Sequence, residues 1–532
     1  MTSFFRKIFK KPIFLLLAVN IIAGLFIFHD YGFSWDEPLF YGYGNALGYA
    51  YSPHEWLSGS FDVSNSYGPS GDDHKTRGPA YLLLARQPVY FLQTLGIDQA
   101  SAWHLVNFLF FQVGVYFLYR LSTRWMKAYA AVTAAALFAW QPLLWGHAFI
   151  NPKDPPFMTF FLVSICLGFE MVDVLTENKK PKYSVVILPA IFLGFTTSIR
   201  VLGPLAGLLI FIYFAFSIFS NKDLRTSIRP WFVFGAYGAT ALLVMFLTWP
   251  YLWESPSARY VDVIRFMSDN PTSLSVLFGG QVYRASELPR RYLPVMLGIT
   301  LTEPVWILFL VGVMAGFWKL WEDRSSKRAG NLVTAVLTLS WFFIPVLYVL
   351  IRKPAMYDGI RHFLFIVPPV FIFTGFAIEF IVEFLRIKIA LIWLYAGLFL
   401  FLFLPGLLAI ARLHPYEYTY YNSFVGGTDN AFRQYETDYW LTCYKDAVEK
   451  LNSSTAEPAD LFVHREAYLA EYYAMSNITV HEQRGAASQV KSGDYLLVNS
   501  RTNEDRRILK DIPPVIEILR GRALFCTIGR VP

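Results

Sequence analysis

The chain has 532 residues, of which 55% are hydrophobic, 18% aromatic and only 16% charged, which is too apolar for an ordinary soluble enzyme and too long for one simple core. Its net charge of +7 does not indicate nucleic acid, because the basic residues are spread over short segments between apolar runs and form no single patch. They read instead as the topology signals of a polytopic membrane protein.

Apolar runs of roughly 18 to 25 residues, each long enough to cross a hydrocarbon core of ~30 Å as a helix, recur from the N-terminus to about residue 411. The first, near 12–29, follows Arg6, Lys7, Lys10 and Lys11 in the manner of a signal sequence, but no small-x-small cleavage site precedes Asp30, so it is expected to remain as an anchor. Ten more are expected near 102–121, 128–147, 156–173, 184–200, 202–219, 231–250, 297–318, 331–351, 362–385 and 389–411, giving eleven helical spans. The run 184–219 is divided at Ser198-Ile199-Arg200 and Gly203-Pro204, because a single span there would move every later segment to the other side and destroy the alternation of basic connections. With that division the N-terminus, 120–127, 179–182, 222–229, 319–328 and Arg386 with Lys388 share one side, assigned to the cytoplasm.

The opposite side receives the loops 30–101, 147–155, 251–296 and 352–361 and the tail from Arg412. The aromatic-rich stretch 38–51 reads as a helix lying in the interface, with its Phe and Tyr at headgroup level. Beyond Arg412 apolar runs shorten and charges become frequent. The pattern predicts helices over 438–451 and 467–474, strands over 460–463 and 495–499, and a hairpin of 515–519 with 523–528. The expected organisation is a helical membrane domain, 1–411, followed by a small extracytoplasmic α/β domain, 412–532, in a plasma (inner) membrane protein with a cytoplasmic N-terminus. Cys166 falls in a span, while Cys443 and Cys526 lie in the tail, where an oxidising compartment would permit a disulfide.

Nearly all unusual polar residues fall on the face opposite the basic loops. Asp36 and Glu37, in Ser34-Trp35-Asp36-Glu37-Pro38, are adjacent carboxylates just beyond a span. Such a pair is costly unless solvated or used, although two acids there can also simply mark where water begins. Successive side chains of an extended backbone face opposite ways, so one of the two is supportive, and Asp36 is assigned as the base. In Asn151-Pro152-Lys153-Asp154-Pro155-Pro156 three prolines fix the backbone around a second acid, Asp154. Arg200, at the tip of the hairpin between the fifth and sixth spans, should face a cavity or a partner unless it snorkels to the interface. Arg361-His362, ahead of Pro368-Pro369, combines a bidentate phosphate binder with a group titrating near neutrality. Glu303, in Leu301-Thr302-Glu303-Pro304, is a supporting candidate or a partner for Arg290 or Arg291. No P-loop, GxSxG, HExxH or paired CxxC occurs. Acids and bases converging on one membrane face fit chemistry on a lipid phosphate: a carboxylate takes a proton from a hydroxyl while cations stabilise the departing phosphate.

Together these residues resemble the C-type glycosyltransferase superfamily, and most closely the bacterial relatives of protein O-mannosyltransferases and lipid A aminoarabinose transferases. The resemblance covers 12–411 and extends into the tail segment 414–422, which contains Tyr416. It implies a polyprenyl-phosphate sugar as donor, a hydroxyl of a lipid, glycan or protein as acceptor, and transfer with inversion on the extracytoplasmic face. Within it Asp36 matches the catalytic base, and Glu37 and Asp154 match groups that orient acceptor or sugar. Arg200, Arg361 and His362 match the phosphate site, with Lys153, Glu303 and Tyr416 in support. No large lumenal insertion like that of the eukaryotic mannosyltransferases is present; the α/β tail stands in its place. No cofactor is required by this pattern, and a divalent metal is compatible with carboxylates and a phosphate without being demanded by their spacing. Two other readings compete. A transporter or flippase of lipid-linked sugars would place ionisable residues at mid-membrane and show inverted repeats. A structural membrane protein would use its tail to bind a partner.

Overall fold

The computed structural model describes residues 12–69, 74–177, 182–269, 272–323, 327–385 and 390–532. The basic residues Arg6, Lys7, Lys10, Lys11, Lys179, Lys180, Arg386 and Lys388 lie outside the described residues. The apolar runs are helices: α1 (Pro12–Ile27), then, after α2 (Glu37–Ala50) and α3 (Ala80–Thr94) of the first loop, α4 (Gln99–Ser122), α5 (Ala128–Ala139), α6 (Pro142–Ile150), α7 (Asp154–Thr176), α8 (Tyr183–Ile199), α9 (Pro204–Ser220) and α10 (Arg229–Leu247). After a β-hairpin, β1 (Ser275–Phe278) with β2 (Gln281–Arg284), come α11 (Tyr292–Thr300), α12 (Glu303–Glu322), α13 (Arg328–Arg352), α14 (Pro368–Leu385), α15 (Leu391–Leu402) and α16 (Leu404–Leu413).

Six of these helices are long and apolar enough to cross a membrane, or eight if each bent pair, α5 with α6 and the last turns of α15 with α16, is one span. The chain is therefore a multi-pass membrane protein, with six to eight candidate crossings among the described residues where run length and the alternation of basic loops anticipated eleven. Three of the anticipated spans, α1, α8 and α9, are shorter apolar helices. The break between α8 and α9 falls at 200–203, as the alternation of basic loops required. The anticipated span at 297–318 begins earlier and is interrupted at Leu301-Thr302, between α11 and α12.

The helices differ in how central they are, since a membrane leaves apolar side chains free to face lipid. In α7, 83% of the apolar window is buried inside the protein, against 22% in the peripheral α10. The helix expected at the interface over 38–51 does form as α2, but it turns inward. Phe40, Tyr41 and Tyr43 are buried, and Tyr41 stacks on Trp103 of α4 at 4.2 Å. The cover is α3, an amphipathic helix not anticipated from the sequence, which packs against both α2 and α4.

The tail forms a five-stranded sheet of order β4-β3-β5-β7-β6, made of β3 (Ala459–Val463), β4 (Ile478–Glu482), β5 (Tyr495–Asn499), β6 (Pro514–Arg520) and β7 (Ala523–Arg530). Its left half, β4-β3-β5, is parallel and its right half antiparallel. Strand β4 went unread in the sequence, where it presents a short polar-apolar alternation. The helices α17 (Cys443–Ser454) and α18 (Ala467–Tyr473) pack on the sheet, and Cys443 is disulfide-bonded to Cys526 of β7. A continuous apolar cluster runs from the membrane helices into this tail through Tyr416, Tyr418 and Trp440.

Candidate active site

The loop 28–36 carries the first acids and is held from both sides. Ser34 Oγ donates to the carbonyl of Ile150 at the end of α6, 2.8 Å away. From the tail, Tyr473 Oη accepts from the Phe33 amide (2.9 Å), the Trp440 carbonyl accepts from the Trp35 amide (3.1 Å), and Tyr468 Oη donates to the Trp35 carbonyl (2.5 Å). Gly32 permits this approach: a Cβ there would lie 2.3 Å from the Thr442 carbonyl oxygen. The loop ends where Pro38, in the first turn of α2, starts the helix, because proline needs no amide partner there.

Asp36 and Glu37 consequently point into different surroundings. The Glu37 carboxylate is fully buried, accepts from the Ser34 amide (2.6 Å) and from Tyr41 Oη, and lies 3.1 Å from His104 Nε2. It braces the turn. Asp36 faces the opposite way and pairs with Arg361 Nη1 at 2.9 Å, with 19% of its side chain still exposed. Burial raises its carboxyl pKa, but Arg361 and Arg77 outweigh that and hold it below the ordinary carboxylate value. Asp36 is therefore ionised at neutral pH.

Asp154 opens α7, where the helix dipole favours an anion. The side chain of Asn151 organises this turn: its oxygen accepts from the Asp154 amide and its nitrogen donates to Asp154 Oδ2, both at 2.9 Å. The other carboxylate oxygen pairs with Arg200, which stands just beyond α8 over the ring of Phe157. Arg77 is brought in by the loop ahead of α3, through Gly78. A Cβ on Gly78 would lie 1.3 Å from the Ser198 carbonyl oxygen, so only glycine lets that loop press against the α8–α9 turn. Lys153 lies over Phe40, and its pKa is pushed well below the ordinary lysine value by burial and by Arg77 and Arg200. His362 sits edge-on to Tyr357 at 4.7 Å, and burial together with Arg361, Arg200 and Lys153 keeps it neutral.

Arg361 begins a 3-10 turn, Arg361–Ile366, ahead of α14. Besides Asp36 it binds Asp358 at 2.9 Å and lies 4.4 Å from the ring centre of Trp440. Asp358, fully buried and in the left-handed region (φ 57°), also binds Arg501 at 2.5 Å, and Arg501 binds Glu436 at 2.8 Å. Burial raises the Glu436 carboxyl to about 7 against the opposing pull of Arg501.

The structure thus brings together Asp36, Lys153, Asp154, Arg200, Arg361 and His362, and sets three candidates elsewhere. Glu37 is turned away. Glu303 accepts from the Ser423 amide (2.7 Å) and from Tyr420, which ties the tail's entry to α12; it pairs with neither Arg290 nor Arg291. Tyr416 is buried in the tail, donating to Asp446 at 2.7 Å and lying under Arg520. Sequence reading missed Arg77, Asn151, Asp358, Glu436, Trp440 and Arg501. Of these only Asn151 and Asp358 stand beside a recognised motif.

Among the described residues no group of three or more His, Cys, Asp or Glu side chains could hold a metal ion. The carboxylates nearest the site, Asp36 and Asp154, are each engaged by a guanidinium.

No protein-family model matches the chain, and no curated protein matches it. Among solved structures it is similar to the Archaeoglobus fulgidus oligosaccharyltransferase in the apo form, with 11% identity, TM-score 0.47, and 92% of this chain and 70% of that one covered. The same enzyme in complex with zinc and sulfate gives 12% identity and TM-score 0.42, covering 87% of this chain and 62% of that chain. An arabinofuranosyltransferase from Mycobacteria gives 14% identity and TM-score 0.40, covering 97% of this chain and 40% of that one. The chain thus spans less than two thirds of the length of two of these structures. At these identities and scores the likeness is one of general chain course, and the chemistry below rests on this chain's own residues.

Proposed function

We propose that this protein is an integral-membrane glycosyltransferase that moves a sugar from a polyprenyl-phosphate carrier to a hydroxyl of a lipid, glycan or protein acceptor. The observation that carries the reading is a partly open, ionised carboxylate, Asp36, set among crowded cations: Arg77, Lys153, Arg200 and Arg361. Burial and neighbouring cations lower Lys153 and Arg200, and a phosphate brought to the site supplies the anion that restores their charge.

In the proposed reaction Arg200, Arg361 and Lys153 hold the donor phosphate, and neutral His362 offers it a hydrogen bond. The acceptor hydroxyl oxygen attacks the anomeric carbon, on the face opposite the bond from carbon to phosphate oxygen, and that bond breaks with inversion. The hydroxyl proton passes to Asp36, and polyprenyl phosphate leaves with the electron pair. Asp36 is a weak base in the resting site because Arg361 stabilises its charge. Proton transfer becomes favourable only as the new C–O bond forms and the hydroxyl becomes acidic, so the base acts late in the step. Cations placed where charge develops lower the barrier for departure. Asp154 orients Arg200, Glu37 braces the turn of Asp36, and Glu303 and Tyr416 secure the tail. No step is routed through a metal.

The site face is assigned to the extracytoplasmic side, with the boundary between membrane domain and tail near 411. The disulfide of the tail supports this, since such bonds persist in oxidising compartments. A transporter would need ionisable groups along its spans. In α7, by contrast, Asp154 and the pair Glu170 and Asp173 stand at opposite ends, with no Asp, Glu, Lys, Arg or His between them.

The test is incubation of the purified protein and its Asp36→Asn variant with labelled polyprenyl-phosphate sugars and a membrane or envelope acceptor fraction. The wild type should discharge one donor, and the variant should bind that donor but turn it over about 10²- to 10⁴-fold more slowly. Retention of most activity by the variant would remove Asp36 from the base role.

A further inference from the structure

The proposed site uses Asp36 and Arg361, but the chain of charges continues past them. Asp36, Arg361, Asp358, Arg501 and Glu436 alternate in sign, each in contact with the next at 2.5 to 2.9 Å. From Arg361 to Glu436 every member is nearly or fully buried, Arg361 at 5% and Arg501 at 2% side-chain exposure. These residues come from three distant segments: the loop after α1, the turn before α14, and the tail.

The tail's sheet explains how Arg501 gets there. The chain leaves β3 toward β4 on one side of the sheet and leaves β5 toward β6 and β7 on the other, so the carboxyl ends of β3 and β5 flank a topological switch point. In an open α/β sheet that crevice is where a ligand binds. Here it receives Trp35: Arg501, two residues past β5, lies 5.4 Å from the Trp35 ring centre, and Tyr468 of α18 holds the Trp35 carbonyl. The tail therefore grips the residue preceding the base as a soluble domain would grip its ligand.

We propose that Arg501 is a positioning residue of the active site, which holds the Arg361 guanidinium on Asp36 through Asp358 and so makes the tail a working part of the transferase. Asp358 has two guanidinium partners. With Arg501 gone, Arg361 is the guanidinium that remains in contact with that buried carboxylate among the described residues, and it is drawn toward Asp358 and off Asp36, because a buried carboxylate that loses one of its two ionic partners binds the other more tightly. Lysine offers a point charge where arginine offers a planar fork, so it replaces Arg501 only in part. The proposal rests on the transferase reading for its kinetic consequence but not for its geometric one.

The experiment uses the full-length protein and its Arg501→Gln, Arg501→Lys and Glu436→Gln variants, with Arg522→Gln, an exposed tail arginine, as control. Phenylglyoxal labelling read by mass spectrometry reports the protection of Arg361, with Arg120 at the far end of the bundle as internal reference. Donor turnover reports kcat and KM separately. Expected are labelling of Arg361 raised severalfold in Arg501→Gln with Arg120 unchanged, kcat lowered by about 10²-fold with a smaller change in KM, and partial recovery of both in Arg501→Lys. Glu436→Gln, which leaves Arg501 in contact with Asp358, should fall between the control and Arg501→Gln. If Arg501→Gln does not fold, the other two variants decide. Unchanged protection of Arg361, or labelling that rises equally at Arg361 and Arg120, overturns the proposal. Should the wild type consume no donor, the transferase reading fails while the labelling still decides the role of Arg501.

Discussion

The two ends of α7 carry opposite kinds of ionic structure. About 19 residues, or roughly 29 Å of helix rise, separate Asp154 from Asp173. At the Asp173 end cations and carboxylates pair across the helices: Arg120 with Glu170, Arg124 with Asp173, Lys127 with Glu383 and Lys319 with Glu379. Arg124 also donates to Tyr213 and Thr334, so this balanced set joins α4, α7, α9 and α13 where the basic loops gather. At the Asp154 end Arg77, Lys153, Arg200 and Arg361 gather around Asp36 and Asp154, and burial together with the neighbouring cations depresses Lys153 and keeps His362 neutral. A matched set of charges holds helices together and needs nothing further. A crowded set of cations around a carboxylate that is partly open to solvent suits a charge that is brought to it.

The largest expected effect that sharpens this contrast is at Arg200. Arg200→Gln removes a proposed phosphate ligand and the guanidinium paired with the nearly buried Asp154, so turnover should fall about 10²- to 10³-fold. Steady-state kinetics with the active donor checks it. A full-rate variant would show that the cation cluster is structural. Next comes Gly78→Ala, whose added methyl collides with the Ser198 carbonyl. Displacing the loop that carries Arg77 should cost about 1 to 3 kcal/mol of stability, as overpacking does, measurable as a lower midpoint of thermal inactivation together with reduced turnover. A smaller and more specific effect is expected at Arg77. It lowers the pKa of Asp36, so Arg77→Gln should raise that pKa. Because the base must be ionised, activity should then be lost at a higher pH on acidification than in the wild type. A pH–rate profile checks the direction, and an unmoved acid limb would separate Arg77 from Asp36. The smallest effect is at the balanced end. Arg120→Gln breaks a pair that is more than a third exposed, worth at most about 1 kcal/mol, and donor turnover should match the wild type.

Much of this organisation is legible in the chain because it follows from one-dimensional signals. Hydrophobic run length placed the helices, and the alternation of basic loops divided 184–219 at Arg200 and put Asp36, Asp154, Arg200 and Arg361 on one face. The boundary of strand β5 and the approximate positions of β3, α18 and the β6–β7 hairpin follow from alternation and turn residues. What misled the reading was local composition taken without its cover. The aromatics of α2 look interfacial until α3 and α4 are seen to enclose them, and Glu37 looks like a partner of Asp36 until its oxygens are found on Ser34 and Tyr41.

The sequence by itself determined that the chain crosses membranes and which loops share a side, because the cost of placing polar groups in hydrocarbon acts on each segment separately. It also marked Asp36, Asp154, Arg200 and Arg361 as residues that must find partners. Only the tertiary structure decided which partners they find. Ion pairs join segments such as Arg361 and Asp36, which are 325 residues apart, and Arg501 and Asp358, which are 143 apart. Their energy depends on distance and burial, and the folded chain alone sets both. That is why the tail carries no legible motif and yet, through Asp358 at Arg501 and directly at Trp440, meets the arginine paired with Asp36.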